Sequence, residues 1–265
     1  MEISPTRRNR IEHVGDCPSG NLRDLLTTYA QRYETRDFLE DDPSWFMHQP
    51  TNNGDREVVA FLSACLSYGR RDLFMPKIKC LIDLSEGNIV DWLANGRFRE
   101  KVPDANMCFY RLQTHHNIRE LLTALQDIIS QYGSVGGLLR EHSVDKGLRA
   151  LELLTSFFNA YDTGGLVPRN TVSACKRLCM FLRWMVRDNS PVDLGLWASY
   201  IDKRSLIMPL DTHVVEESMA LGLLSSRSTS MIAAKRLTAK MLEIFPNDPL
   251  RGDFALFGYG VDKKR

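Results

Sequence analysis

Ile118–Tyr132 reads IRELLTALQDIISQY. Ile118, Leu121, Leu122, Leu125, Ile128, Ile129 and Tyr132 recur at i, i+3, i+4 and i+7, with polar residues between them. That spacing places one apolar face on a helix. Working outward, Val58, Val59, Leu62, Cys65 and Leu66 repeat it and are closed by Gly69. Leu148, Leu151, Leu154, Phe157 and Phe158 repeat it again, as do Ile232, Leu237, Met241, Leu242 and Phe245, ended by Pro246. No segment alternates strictly with Val, Ile and Thr enrichment, and no Asn-Gly turn joins two strand-like runs. The expectation is an all-α protein of about ten helices, from a mean helix of ~11–12 residues plus loops. Asp42-Pro43 with 49–55, the turn Asp162–Pro168, and Asn189-Ser190-Pro191 punctuate the chain.

Composition narrows the function classes. The 265 residues are 43% hydrophobic and 25% charged, enough to bury a core. Lys+Arg number 34 against 33 Asp+Glu, a net +1, which excludes a globally basic chromatin-type protein. Any nucleic-acid site must be a local patch. No run of 18 apolar residues exists, so no membrane span is expected. The start, MEISPTRRNRIEHV, is basic without an apolar core and does not read as a secretory signal. Cys17, Cys65, Cys80, Cys108, Cys175 and Cys179 form no C-x-x-C. They are expected as free thiols in a reducing cytoplasm, with no metal and no cofactor.

Two stretches carry candidate chemistry. Arg169–Arg187, RNTVSACKRLCMFLRWMVR, holds Arg169, Lys176, Arg177, Arg183 and Arg187 with no acid. On a helix, Lys176, Met180, Arg183 and Arg187 share one face, beside an apolar one of Ala174, Leu178, Phe181 and Met185. A cationic stripe on a neutral protein is either a phosphate-binding surface or a solvated face. In 206–215 an apolar extended run meets Pro209 and then Asp211, which is placed to N-cap the following helix. Capping alone accounts for an Asp there. A capping carboxylate is also held rigid and ionised, and can stabilise developing positive charge. Asp211-x-His213 lacks the further ligands a metal needs.

Pro209-Leu210-Asp211-Thr212-His213-Val214 resembles the P/A-V-D-T-H-V segment of helix-hairpin-helix DNA glycosylases. Glu57–Tyr68, EVVAFLSACLSY, resembles their early helix. Ala174–Leu178, Phe181–Arg187, Val192–Trp197 and Asp253–Gly260 resemble an uncharacterised bacterial family, itself similar to the archaeal 8-oxoguanine DNA glycosylases. The resemblance spans roughly 40–261. The Leu-Pro-Gly-Val-Gly hairpin of the glycosylases is missing before Lys176, and so is the four-cysteine cluster of their iron–sulfur members.

The resemblance implies base-excision repair by a bifunctional glycosylase and AP lyase, with Lys176 as nucleophile and Asp211 as the catalytic carboxylate. Its partner would be double-stranded DNA carrying a damaged base, an oxidised purine among the candidates, or an abasic site. The fold implied is two interleaved helical subdomains, 51–187 and 1–50 plus 188–265, with Lys176 and Asp211 facing each other across the cleft between them. Arg177, Arg183, Arg187, Arg169, Arg70 and Arg71 are the expected DNA contacts, and Tyr68, Trp184 and Trp197 the candidates for stacking on an extruded base. Each has a plainer reading, as surface charge or as core. Arg111 is a further phosphate candidate, and His115-His116 reads as an exposed loop pair. A monomer acting in the bacterial cytoplasm, nucleoid-associated when on DNA, is expected. The alternative is a non-catalytic helical nucleic-acid-binding protein, which needs the arginines but not Lys176 and Asp211 as a chemical pair.

Overall fold

The computed structural model describes residues 21–263. Cys17, the basic start and residues 1–20 of the segment 1–50 lie outside the described residues. Within them the protein is helical: α1 Leu22–Tyr33, α2 Asn53–Leu66, α3 Arg71–Leu84, α4 Ile89–Ala94, α5 Phe98–Lys101, α6 His115–Tyr132, α7 Val135–Glu141, α8 Gly147–Phe158, α9 Lys176–Val186, α10 Thr212–Ala220, α11 Met231–Ile244 and α12 Arg251–Asp262. Short 3-10 helices cover Arg36–Leu39, Pro43–His48 and Lys203–Ser205.

The periodic stripes become buried faces. In α6, Ile118, Leu121, Leu122, Leu125 and Ile128 are buried; Thr114 and Asn117 form a capping box at one end, and Gly133 ends the helix with φ +75. The central helix is α2, buried from Glu57 to Leu66 between α9, α3, α4 and the 3-10 helix Pro43–His48. Phe61 of α2 stacks on Phe158 of α8 at 4.9 Å and meets Phe181 of α9 edge-on at 5.1 Å. Such ring pairs add ~0.5–1.5 kcal/mol beyond area burial. The first and last helices pack along each other. Tyr29 meets Tyr259 edge-on at 5.7 Å, and Asp262 accepts from Arg32 and Tyr33.

The all-α expectation holds among the described residues, with three local departures. The chain contains a small antiparallel hairpin, β1 Cys108–Tyr110 and β2 Gln113–Thr114, too short for an alternation pattern to register. His115 and His116 open α6 rather than lie in a loop; His115 packs edge-on against Phe109, and His116 pairs with Asp104 at 2.5 Å. The basic helix starts at Lys176, so Ala174, expected on its apolar face, lies before it. Ser173 forms a bridge with Ser230, the Ala174 N–H donates to the Thr229 carbonyl at 2.9 Å, and Cys175 turns through φ +49. Those contacts pull the preceding segment out of the helix and make Lys176 its first residue.

Candidate functional site

The extended run before α10 is pinned at Met208, whose N–H donates to Thr238 Oγ1 of α11 at 3.0 Å. The next turn delivers Asp211 as N-cap, Oδ1 accepting from the Val214 N–H at 2.9 Å. Its other oxygen, Oδ2, stands 3.0 Å from Nζ of Lys176 at the start of α9. The two side chains are 31% and 38% exposed, so the pair is reachable from outside. Burial pushes the Asp211 carboxyl up, but the Lys176 charge and the Val214 N–H more than offset it, and the group stays below the usual carboxylate range. Two segments far apart in sequence thus present an amine and a fixed carboxylate at hydrogen-bond distance.

They open into a cleft of about 970 Å³. Its apolar wall includes Phe38, Phe74, Met180, Leu256 and Phe257, and Tyr68 stands exposed at its rim. Phe38 and Phe257 meet edge-on at 5.1 Å. Asp253, one turn before Phe257 on α12, also reaches the cleft while paired with Arg183. Burial raises its pKa and Asp211 raises it further, against the lowering pull of Arg183. Tyr68 was a stacking candidate and Met180 lay on the Lys176 face of the basic helix, whereas Phe38, Phe74, Leu256, Phe257 and Asp253 carried no site role from sequence. The available signal was the i, i+4 pair Asp253 and Phe257 on one helical face.

Not all expected DNA contacts are open to solvent, although Arg183 borders the cleft. Arg183 and Arg187 are 3% and 1% exposed, and the phosphate role assigned to them is corrected. Arg183 pairs with Asp193 at 3.2 Å and with Asp253. Arg187 pairs with Asp193, with Glu34 at 2.6 Å and with Asp248 at 2.8 Å. Burial alone would weaken the Arg187 cation, but these carboxylates outweigh it and raise its pKa. The absence of acids within Arg169–Arg187 hid partners supplied by Glu34 at the end of α1, by Asp193, by Asp248 before α12 and by Asp253 on α12. Trp184 and Trp197 are likewise core residues, not stacking platforms. Trp184 is fully buried, and Trp197 donates Nε1 to Glu57 Oε2 at 3.2 Å and packs edge-on to Phe181 at 5.2 Å.

The remaining cations stay outside. Arg70 is exposed and paired with Asp72 at 2.5 Å, and Arg71 lines the cleft with Asp42 at 3.4 Å. Arg169 is exposed. Arg177 lines the cleft and donates to the carbonyls of Cys65 at 2.8 Å and Gly165 at 2.6 Å. Arg111, at the hairpin turn, lies 4.8 Å over the Tyr68 ring. Among the described residues no group of three or more His, Cys, Asp or Glu is placed to hold a metal ion. Cys65, Cys80, Cys108, Cys175 and Cys179 are free, and burial pushes the Cys65 thiol up to about 12.

A family model described as "Protein of unknown function (DUF2400)" matches residues 42–262. Neither the curated proteins nor the solved structures contain a significant match to the chain. No helix among the described residues is long and apolar enough to cross a membrane.

Proposed function

The chain belongs to the DUF2400 family, whose description assigns no activity, and from the resemblance to helix-hairpin-helix glycosylases together with the site's geometry we propose a bifunctional DNA glycosylase and AP lyase of base-excision repair. The observation that carries the reading is Lys176 Nζ at 3.0 Å from Asp211 Oδ2 on the edge of a cleft. The chemistry needs those two groups together. Lys176, a cation in the resting pair, first gives up a proton; the neutral amine then attacks the sugar C1′, and the base leaves with the electrons of the glycosidic bond and takes up that proton. As that bond stretches, C1′ gains positive charge, which a fixed carboxylate beside it stabilises. The covalent ammonium loses a proton, the C1′–O4′ bond opens as that proton passes to O4′, and the product is a protonated Schiff base. Loss of a C2′ proton then expels the 3′ phosphate by β-elimination.

The target base must first leave the stack, at a cost of a few kcal/mol that damage reduces. The Phe38, Met180 and Phe257 wall offers it an apolar face beside Lys176. The substrate in this reading is double-stranded DNA with a damaged base, an oxidised purine by resemblance, or an abasic site. Its architecture is the helix-hairpin-helix glycosylase fold with subdomains 51–187 and 1–50 plus 188–265. The packing of α1 along α12 and a cleft bordered by α9, α10 and α12 support that arrangement. The protein would act as a monomer in the cytoplasm.

Borohydride trapping tests the reading directly, with duplexes carrying 8-oxoguanine, uracil, thymine glycol or an abasic site. A covalent adduct that disappears in Lys176→Gln is expected. Wild-type protein that binds these duplexes but excises nothing and traps nothing would replace the reading with a non-catalytic nucleic-acid-binding protein using the same cations.

A further inference from the structure

Arg111 occupies the β1–β2 turn in the left-handed region, φ +52, a conformation that persists in a non-glycine residue only where the surroundings impose it. Here they do. Tyr110 Oη donates to the Tyr68 carbonyl, and Gln113 Nε2 donates to the Gly164 carbonyl at 3.3 Å. Gly69 turns through φ +91 directly beneath; a Cβ there would collide with the Arg111 guanidinium and stand 3.0 Å from Tyr110 Oη. The outcome is a guanidinium held 4.8 Å over the Tyr68 ring, with a second, Arg177, 6.0 Å from the same ring.

The charges of these two arginines are uncompensated. Arg70, Arg71 and Arg183, around the same cleft, each have a carboxylate within 4 Å. Among the described residues Arg111 and Arg177 have none; Arg177 has only the two carbonyls. Burial disfavours the Arg177 cation and lowers its pKa. A charge withdrawn from water without a counter-charge is costly, and an incoming anion relieves that cost. Guanidinium groups recognise phosphate oxygens in bidentate fashion, and stacking on an aromatic ring fixes the direction of the fork.

We propose that Arg111 and Arg177, oriented by the Tyr68 ring, grip one phosphodiester of the nucleic-acid strand at the mouth of the cleft. This rests on the DNA reading above and adds to it a two-arginine clamp, built on the hairpin and α9, in a chain that lacks the usual hairpin before its lysine.

The test is a scan of single methylphosphonate linkages, which remove one negative charge each, through a duplex containing a tetrahydrofuran abasic-site analogue. Affinity is read by fluorescence anisotropy with the full chain. One linkage is expected to cost the wild type about tenfold in affinity, the scale of a charge-assisted bidentate contact. The same linkage should cost Arg111→Gln and Arg177→Gln clearly less, and the double variant nothing further. If Arg177→Gln does not fold, Arg111→Gln, whose side chain is exposed, carries the comparison. A scan in which every linkage affects wild type and Arg111→Gln equally overturns the clamp. So does submillimolar binding of inorganic phosphate alone that is lost in Arg111→Gln, since the site would then serve free phosphate. A borohydride adduct without the scan signature removes the clamp and leaves the lyase, whereas the signature without an adduct does the reverse. Failure to bind the duplex at all removes both.

Discussion

At the scale of single residues, Lys176 and Asp211 make the strongest predictions because their two roles separate by substitution. Lys176→Gln keeps a similar stem without a basic nitrogen, so base excision and the trapped adduct should vanish while duplex affinity in anisotropy stays near wild type. Asp211→Asn keeps most of the cap, Asn being as good as Asp at that position, but removes the charge opposite C1′. Excision should slow by roughly 10²–10³-fold in single-turnover assays, with strand cleavage at a preformed abasic site affected less. A cleavage rate lowered equally on both substrates would place Asp211 in the elimination step instead. The carboxyl is also a pH marker. Its folded pKa lies below its ordinary 3.8, so the stability it contributes is present above that value and is lost as pH falls through the folded value. Urea unfolding of wild type and Asp211→Asn should therefore differ at neutral pH and converge in acid. Asp211 was legible in sequence because a cap is a local event. Its contact with Lys176 was expected only through the resemblance, since no local pattern brings together the starts of two distant helices.

At the scale of elements, α9 contrasts an amphipathic pattern read alone with one read in its surroundings. Its basic face divides. Lys176 and Arg177 at the N-terminal end open to the cleft, whereas Arg183 and Arg187 at the other end enter a network with Glu34, Asp193, Asp248 and Asp253. Charge on a helix face was visible in sequence; the carboxylates that cover it come from three other parts of the chain. The same limit explains why Ala174 falls outside α9, where the bridge of Ser173 to Ser230 is a tertiary contact, and the missed hairpin, whose strands are three and two residues long. Long amphipathic helices such as α6 and α11 were legible because periodicity over several turns needs no partner to be recognised. The network makes its own prediction. Arg187→Ala would leave Asp193, Asp248 and Glu34 short of their cation inside the fold. Breaking a buried pair from one side typically costs about 3–5 kcal/mol, which chemical denaturation should register as a lowered midpoint. An Arg187→Ala protein as stable as wild type would mean that the carboxylates take up protons or water at little cost.

At the scale of the whole molecule, the net charge of +1 conceals how the 34 cations are used. Many are neutralised where they stand, in surface pairs such as Lys79 with Asp83 or in the internal network, and cannot release counterions from DNA. Had the sequence alone set the count, Arg183 and Arg187 would contribute to binding; with both buried, they do not. The cations near the cleft without a carboxylate partner among the described residues are Arg111, Arg169 and Arg177. With Arg111 and Arg177 on one phosphate and Arg169 on another, two phosphates at roughly −0.9 each give a log–log dependence of affinity on salt with a slope of about −2. Arg169→Ala should reduce that slope by about one while leaving thermal stability unchanged, because the side chain is exposed. Anisotropy titrations across a salt series measure both. A slope near zero would remove DNA as the partner despite the cleft. A slope much steeper than −2 would mean that paired arginines such as Arg70 and Arg71 exchange their carboxylates for phosphates on binding, so that Asp72→Asn and Asp42→Asn would tighten binding at low salt.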